Sequence, residues 1–242
     1  MGRKSRLKKE RKEPYVWGNG SLKKSNETFL KDLSKPVYRF FKEKIHAEAL
    51  CEGRVWLSTL ETCRKYEDPL QGDKGEALHT YSVENIRGGG SDADFVEMCA
   101  RLGLVVSEGC KNISIGQGKS SQIIQDAFLL CTTKEFNPSK LNGTFGNFCV
   151  EISNPIVFFE MLTEELKKII PFKNGRMGAV VYDKREFTGV EKIPAPIGFI
   201  KPKDIYWEQK EFRFLWETNE PEKIKPFEVF CPSIAPLCKL IS

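Results

Sequence analysis

Gln209 and Glu211 are the pair in this 242-residue chain whose types and spacing best suit chemistry. They lie in Tyr206-Trp207-Glu208-Gln209-Lys210-Glu211-Phe212-Arg213-Phe214-Leu215-Trp216, a run that reads as a strand. On a strand, residues two apart share one face, so the amide and the carboxylate are expected to point into the same space. There a carboxylate steadies a developing cation, and an amide holds an attacking group by accepting and donating hydrogen bonds. The plainer reading is a solvated polar face, since Glu208, Lys210 and Arg213 make the segment polar in any case.

Other elements must face such a pair. Residues 37–41 read as a short strand with Arg39 between aromatics, and residues 54–58 as a second strand ending in Ser58-Thr59. Between them, residues 43–52 read as a helix with Ile45, Ala49 and Leu50 on one side and Gly53 as its stop. Further strands are expected at 77–83, 148–152, 179–183, 197–200, 211–216 and 227–230. Helices are expected from Ser91 to near Leu102, capped by Ser91 with Asp94, and over 155–170. Residues 123–133 combine a helix-like start with an apolar strand. Residues 15–34 read as a loop or short helix, and 63–75 as polar and turn-rich. Trp56, Trp207 and Trp216 alternate within strand-like runs and are expected in the core. Strands and helices mix without regular βαβ alternation, which predicts an α+β fold.

Composition narrows the classes. The 40% hydrophobic and 11% aromatic content is that of a globular protein, and no apolar run nears the ~20 residues of a membrane helix. No apolar segment follows the charged N-terminus, so no secretory leader is expected. The eight cysteines show no CxxC spacing and read as reduced, mostly buried thiols of a cytoplasmic protein. No zinc site is expected, because His46 and His79 lie near no cysteine pair, and both read as structural or surface residues. Gly116-Gln117-Gly118-Lys119-Ser120 ends like a phosphate-binding loop, but Ile113 stands where that pattern needs glycine, so a mobile loop is expected. The formal charge of +5 sits wholly in residues 1–13, where Arg3, Lys4, Arg6, Lys8, Lys9, Arg11 and Lys12 meet two acids. The other 229 residues carry 31 basic and 31 acidic side chains. Such a block serves either as a flexible nucleic-acid-binding arm or as a solubilising tail, with one domain over 14–242.

An aromatic-flanked Arg39, the strand end Ser58-Thr59 and Gln209-x-Glu211, in this order, resemble the Arg-Ser-Glu group of the ADP-ribosyltransferase superfamily. Arg64-Lys65-Tyr66-Glu67-Asp68 with Gly72-Asp73 and Glu76 is similar to the polar loop after the second strand in its bacterial members. The second motif here is Ser-Thr-Leu instead of the fuller Ser-Thr-Ser. The resemblance implies two crossed β-sheets with surrounding helices and an NAD cleft, with NAD as substrate and no metal. It implies that Glu211 stabilises the oxocarbenium-like ribose formed when nicotinamide leaves, a charge that glycosidases also meet with carboxylates. Arg39 is implied to clamp the pyrophosphate, Ser58 and Thr59 to orient the cofactor, Tyr66 to cover the nicotinamide and Gln209 to position the acceptor. Each has a plain alternative: Arg39 pairing with a surface acid, Ser58 ending a strand, Tyr66 as an ordinary half-buried aromatic.

Within that family a Gln-x-Glu pair accompanies acceptors other than arginine, including asparagine and nucleobases. With the basic arm, this implies a nucleic-acid acceptor, RNA ahead of DNA because exposed single-stranded bases need no flipping. The functional likeness is to bacterial toxins and anti-phage effectors that modify nucleic acid, including messenger RNA. That likeness alone implies an antitoxin or chaperone partner. Two rival readings stay open: ADP-ribosylation of a protein side chain, and a non-enzymatic nucleic-acid-binding protein that uses the arm.

Overall fold

The computed structural model of the chain describes residues 15–18, 21–22, 33–68 and 70–242. The basic residues Arg3, Lys4, Arg6, Lys8, Lys9, Arg11 and Lys12 lie outside the described residues. The strands are β1 (Tyr15–Gly18), β2 (Ser21–Leu22), β3 (Val37–Phe41), β4 (Arg54–Thr59), β5 (Leu78–Gly88), β6 (Ile113–Ile123), β7 (Phe128–Thr133) and β8 (Phe148–Ile152). They continue as β9 (Phe172–Ala179), β10 (Val181–Tyr182), β11 (Glu186–Thr188), β12 (Ile200–Lys201), β13 (Glu211–Thr218), β14 (Phe227–Phe230) and β15 (Cys238–Leu240). The helices are α1 (Lys44–Cys51), α2 (Leu60–Lys65), α3 (Ala93–Arg101), α4 (Pro138–Phe145), α5 (Pro155–Lys167) and α6 (Lys203–Tyr206). The fold is mixed α+β.

β13 explains the layering. Phe212, Phe214 and Trp216 alternate to one face and pack with Phe158 and Phe159 of α5. Leu215 faces the other way, into a second core with Leu129, Phe199 and Phe187. A strand apolar on both faces must be covered on both. Helix α5 supplies one cover, started by Asn154, whose side chain accepts from the Val157 N–H at 3.2 Å. The three-stranded sheet β11-β5-β6 contributes to the second core through Tyr81, Val83 and Phe187. The indole of Trp216 is satisfied by the Thr163 hydroxyl at 2.8 Å.

The main sheet runs β15-β8-β3-β7-β13-β9-β1-β2 and forks at β7. At its C-terminal end, Thr133 pairs with Tyr38 of β3. Toward its start, Leu129 and Phe128 pair with Ser58 and Thr59 of β4, which β14 extends. β3 and β4 thus leave the same edge of β7 in different directions and open a cleft between them. Glu211 sits opposite Thr133 at this end. Tyr15 pairs with Met177, which pairs with Phe214, so the chain enters β1 at the end of the sheet that carries Glu211.

Several sequence expectations are corrected here. Residues 113–123 are no mobile loop: they pair with β5 from Leu78↔Ile123 to Gly88↔Ile113. Their polar, glycine-containing composition hid a strand held by antiparallel pairing with β5, not by an apolar face. Residues 15–18 and 21–22 form an antiparallel pair in place of a loop or helix. The cap of α3 is Asp92, which accepts from Phe95 N–H at 3.1 Å, not Ser91. Gly53 does end α1, with φ +85°, but the helix buries Ala47 and Leu50 and leaves Ile45 exposed. Trp216 is in the core; Trp56 and Trp207 are 54% and 44% exposed, because β4 turns Val55 and Leu57 inward and residues 207–209 are a turn. Among the described residues no helix is long and apolar enough to cross a membrane. None of the eight cysteines forms a disulfide.

Candidate active site

The fork between β3 and β4 holds a cavity of about 370 Å³, within the ~300–1,000 Å³ usual for small-molecule sites. Arg39 lines it from β3, Ser58 from β4, Tyr66 from the end of α2, Gln209 from the turn before β13, and Glu211 from the start of β13. Five separate sequence candidates are therefore brought to one place. Thr59 is not among them. It is buried, and its hydroxyl caps α2 by accepting from Thr62 N–H at 3.2 Å.

The route by which Gln209 arrives differs from the expectation. Trp207–Gln209 is a 3-10 turn, and Lys210 takes a left-handed conformation, φ 44° and ψ 42°. The strand begins only at Glu211. The residue that shares Glu211's face at a spacing of two is Arg213, which is fully buried and not part of a solvated polar face. Gln209 enters from the turn. Its Nε2 donates to the Leu70 carbonyl at 2.5 Å, and its Oε1 accepts from Lys201 Nζ at 3.5 Å.

Two lining residues, Lys201 and Glu211, belong to a cluster of four buried charges completed by Glu76 and Arg213 behind them. Arg213 binds Glu76 through both terminal nitrogens, at 2.6 and 2.8 Å. Its Nε donates to Glu211 Oε1 at 2.5 Å. Lys201 Nζ lies 2.7 Å from Glu211 Oε2 and 3.9 Å from Glu76 Oε2. Two acids and two bases cancel, which is what allows a buried charge cluster to persist. Burial alone would raise the Glu211 pKa, but the Arg213 and Lys201 cations outweigh it and hold this carboxylate well below the usual range. Lys201 is opposed by burial yet raised by Glu211 and Glu76. Glu211 is therefore a fixed anion, suited to steadying positive charge and unsuited to donating a proton. Its backbone N–H donates to the Tyr182 hydroxyl at 2.7 Å, which anchors the start of the strand.

The segment after α2 closes one side. Gly72 passes so near the Tyr66 carbonyl that a Cβ there would meet that oxygen at 2.2 Å. Gln71 Nε2 donates to Thr144 O at 2.9 Å, and Tyr206 donates its hydroxyl proton to Gly72 O at 2.8 Å. Asp73 is gripped at both oxygens by Arg185. These bonds fix the path of the chain into Glu76.

The opposite side is unsaturated. Among the described residues, the Arg39 guanidinium has no carboxylate or hydrogen-bond partner, and it lies 5.2 Å from the centre of the Phe41 ring. Burial lowers its pKa to about 10, so it stays cationic at neutral pH. The Ser58 and Tyr66 hydroxyls likewise have no hydrogen-bond partner among the described residues, and Tyr66 is half exposed. Two cysteines also line the cavity, but burial, aided by Glu76, pushes the Cys63 thiol up to about 11, and the thiol of Cys131, an exposed residue, is raised well above the ordinary range by desolvation and then by Glu211. Both stay protonated, which argues against a thiolate nucleophile. No histidine lines this cavity. His79 is buried edge-on to Phe187, with burial and then Arg185 lowering its pKa to about 4, and His46 is exposed beside Glu43.

Arg213 and Lys201 were missed as site residues, and Glu76 was read only as part of a polar loop. The signal for Arg213 was present: a charged residue inside Phe212-Arg213-Phe214-Leu215-Trp216 cannot be buried without carboxylates around it. Nothing local marks Lys201, which arrives from a two-residue strand paired with β10. Among the described residues no cluster of three or more His, Cys, Asp or Glu side chains could hold a metal. Comparison with protein-family models, with curated proteins and with solved structures finds no match.

Proposed function

We propose that this cavity binds NAD and transfers its ADP-ribose to a nucleic acid, RNA ahead of DNA. The observation that carries the reading is the convergence of Arg39, Ser58, Tyr66, Gln209 and Glu211 on one cavity from four segments of the chain. Arg39 is an uncommitted planar cation suited to a pyrophosphate, and Ser58 and Tyr66 offer free hydroxyls. Glu211 is a permanent anion with acceptor capacity left over: a carboxylate has about four lone-pair sites, and its side-chain bonds are to Arg213 and Lys201. In the step proposed, the ribose C1′–nitrogen bond breaks and both electrons leave with neutral nicotinamide. Glu211 steadies the sugar cation, a lone pair of the acceptor bonds to C1′, and the acceptor's proton passes to solvent. The forked sheet supports an ADP-ribosyltransferase-like arrangement.

The nucleic-acid acceptor rests on the Gln209 amide and on the charge of residues 1–13. A cytoplasmic toxin or anti-phage effector, held in check by an antitoxin or chaperone, fits this activity. NAD labelled in its adenylate half, incubated with separated RNA, DNA and protein fractions, tests it. Label should become covalently attached to RNA by the wild type and not by Glu211→Gln. Label on protein alone would move the acceptor class, and no label on any fraction would remove the transferase reading.

One observation favours a second reading. Both Glu211 oxygens are engaged by buried cations, as in a purely structural charge cluster of a nucleic-acid-binding protein. In that case Glu211→Gln lowers stability and leaves RNA binding intact, while loss of residues 1–13 abolishes it.

A further inference from the structure

Gln209 and Glu211 are not on one strand, so the strand cannot be what keeps their side chains together. Lys210 stands between them in a left-handed conformation, and Gln209 belongs to the preceding turn. The group that does touch both comes from elsewhere. Lys201 Nζ, on β12, lies 2.7 Å from Glu211 Oε2 and 3.5 Å from Gln209 Oε1. Its stem is fixed: the side chain is buried, and the ammonium sits 4.5 Å from the centre of the Tyr206 ring. β12 is held by parallel pairing with β10, Val181↔Ile200 and Tyr182↔Lys201, and the hydroxyl of Tyr182 in turn accepts from the Glu211 N–H at 2.7 Å.

We infer that Lys201 is the positioning residue that holds the Gln209 amide and the Glu211 carboxylate in one geometry. This rests on the NAD reading only for its kinetic consequence. An ammonium has three donors, enough to serve both oxygens with one to spare. By donating to Oε1, Lys201 fixes which end of the amide faces the cavity, and the NH₂ end points to the Leu70 carbonyl. An acceptor held by Gln209 then meets the sugar cation at a fixed distance from the carboxylate that steadies it. Glu211 is also faced by Arg213 on its own strand, Tyr182 of β10, Cys131 of β7 and Cys63 of α2, and Glu76 from the segment before β5 joins the cluster through Arg213 and Lys201. The hydrogen bonds of the Gln209 side chain run instead to Lys201 and Leu70.

The test compares Lys201→Met with Lys201→Arg in the full chain. Two readouts are taken: the ratio of RNA-linked ADP-ribose to nicotinamide released, and the NMR resonances of the Gln209 side-chain amide. Lys201→Met should lower the transfer-to-cleavage ratio about tenfold, inside the ~10²-fold that a 1 Å misplacement can cost. Lys201→Arg, which can still donate to both oxygens, should restore part of it. The two Gln209 NH protons stay distinct in every variant because amide C–N rotation is slow. In Lys201→Met their chemical shifts should move toward those of a free glutamine amide and their exchange with solvent should quicken, and in Lys201→Arg both should stay near the wild type. Equal loss of cleavage and transfer, matched by the loss of folded protein, would overturn the inference. So would an unchanged Gln209 amide in a folded Lys201→Met. If the wild type releases no nicotinamide, the NAD reading fails by itself, and the amide resonances alone decide the positioning role.

Discussion

The two walls of the cavity are built on opposite principles. Behind one, Glu76 and Arg213 satisfy the lining residues Lys201 and Glu211, and all four are almost sealed from water. On the other, Arg39, Ser58 and Tyr66 present a guanidinium and two hydroxyls that hydrogen-bond to no described residue. The saturated wall is organised before any ligand arrives. The open wall has its polar groups left over for one. Changes in the first should therefore cost stability and activity together, and changes in the second should cost ligand affinity alone.

The largest effect is expected from Arg213→Leu. It strands two buried carboxylates, and breaking a buried charge pair costs about 3–5 kcal/mol. Urea denaturation should show a loss of that size, and a loss below ~1 kcal/mol would mean that water reaches this wall and screens its charges. Next, Glu211→Gln keeps the shape and removes the anion. It should lower NAD cleavage at least ~100-fold, the scale of a lost electrostatic stabiliser, while the protein still folds and binds NAD. The same variant sharpens a pH contrast. Because the folded pKa of Glu211 is depressed, its contribution to stability is present above the unfolded value near ~4.3 and is lost as pH falls toward the folded one. Thermal melts from pH 6 down to pH 3 should fall more steeply for the wild type than for Glu211→Gln.

On the open wall, Arg39→Met should raise the NAD KM by about 10–100-fold, since a charge-assisted bond is worth ~1.5–3 kcal/mol. Stability should change by no more than ~0.5 kcal/mol, as for sites outside a packed network. Equal losses of stability at Arg39 and Arg213 would break the comparison. The smallest effect concerns residues 1–13. Their removal should flatten the salt dependence of RNA binding, by roughly 0.7 in slope for each single-strand phosphate the arm no longer neutralises, and leave NAD cleavage nearly unchanged.

The sequence disclosed the open wall better than the saturated one, for a physical reason. Arg39 and Ser58 sit at strand positions whose neighbours set their direction, so local pattern places them. The saturated wall depends on partners far apart in the chain: Glu76 and Arg213 are 137 residues apart, a separation no local pattern reaches. The expectation that Gln209 shares a strand face with Glu211 is overturned. The Gln209 side chain lines the cavity, but through a turn and the buried Lys201, not through strand alternation. The apolar strands β3, β8 and β13 were legible from their side chains, whereas β6 was hidden because its stability comes from pairing along β5.

Nicotinamide release from NAD, followed under identical conditions for the wild type, Arg39→Met and Glu211→Gln, tests the two-wall cavity most directly. The expected result is release by the wild type, a raised KM with kcat nearly kept in Arg39→Met, and a collapsed kcat with KM nearly kept in Glu211→Gln. Release that is absent in the wild type, or equal in all three proteins, would contradict it.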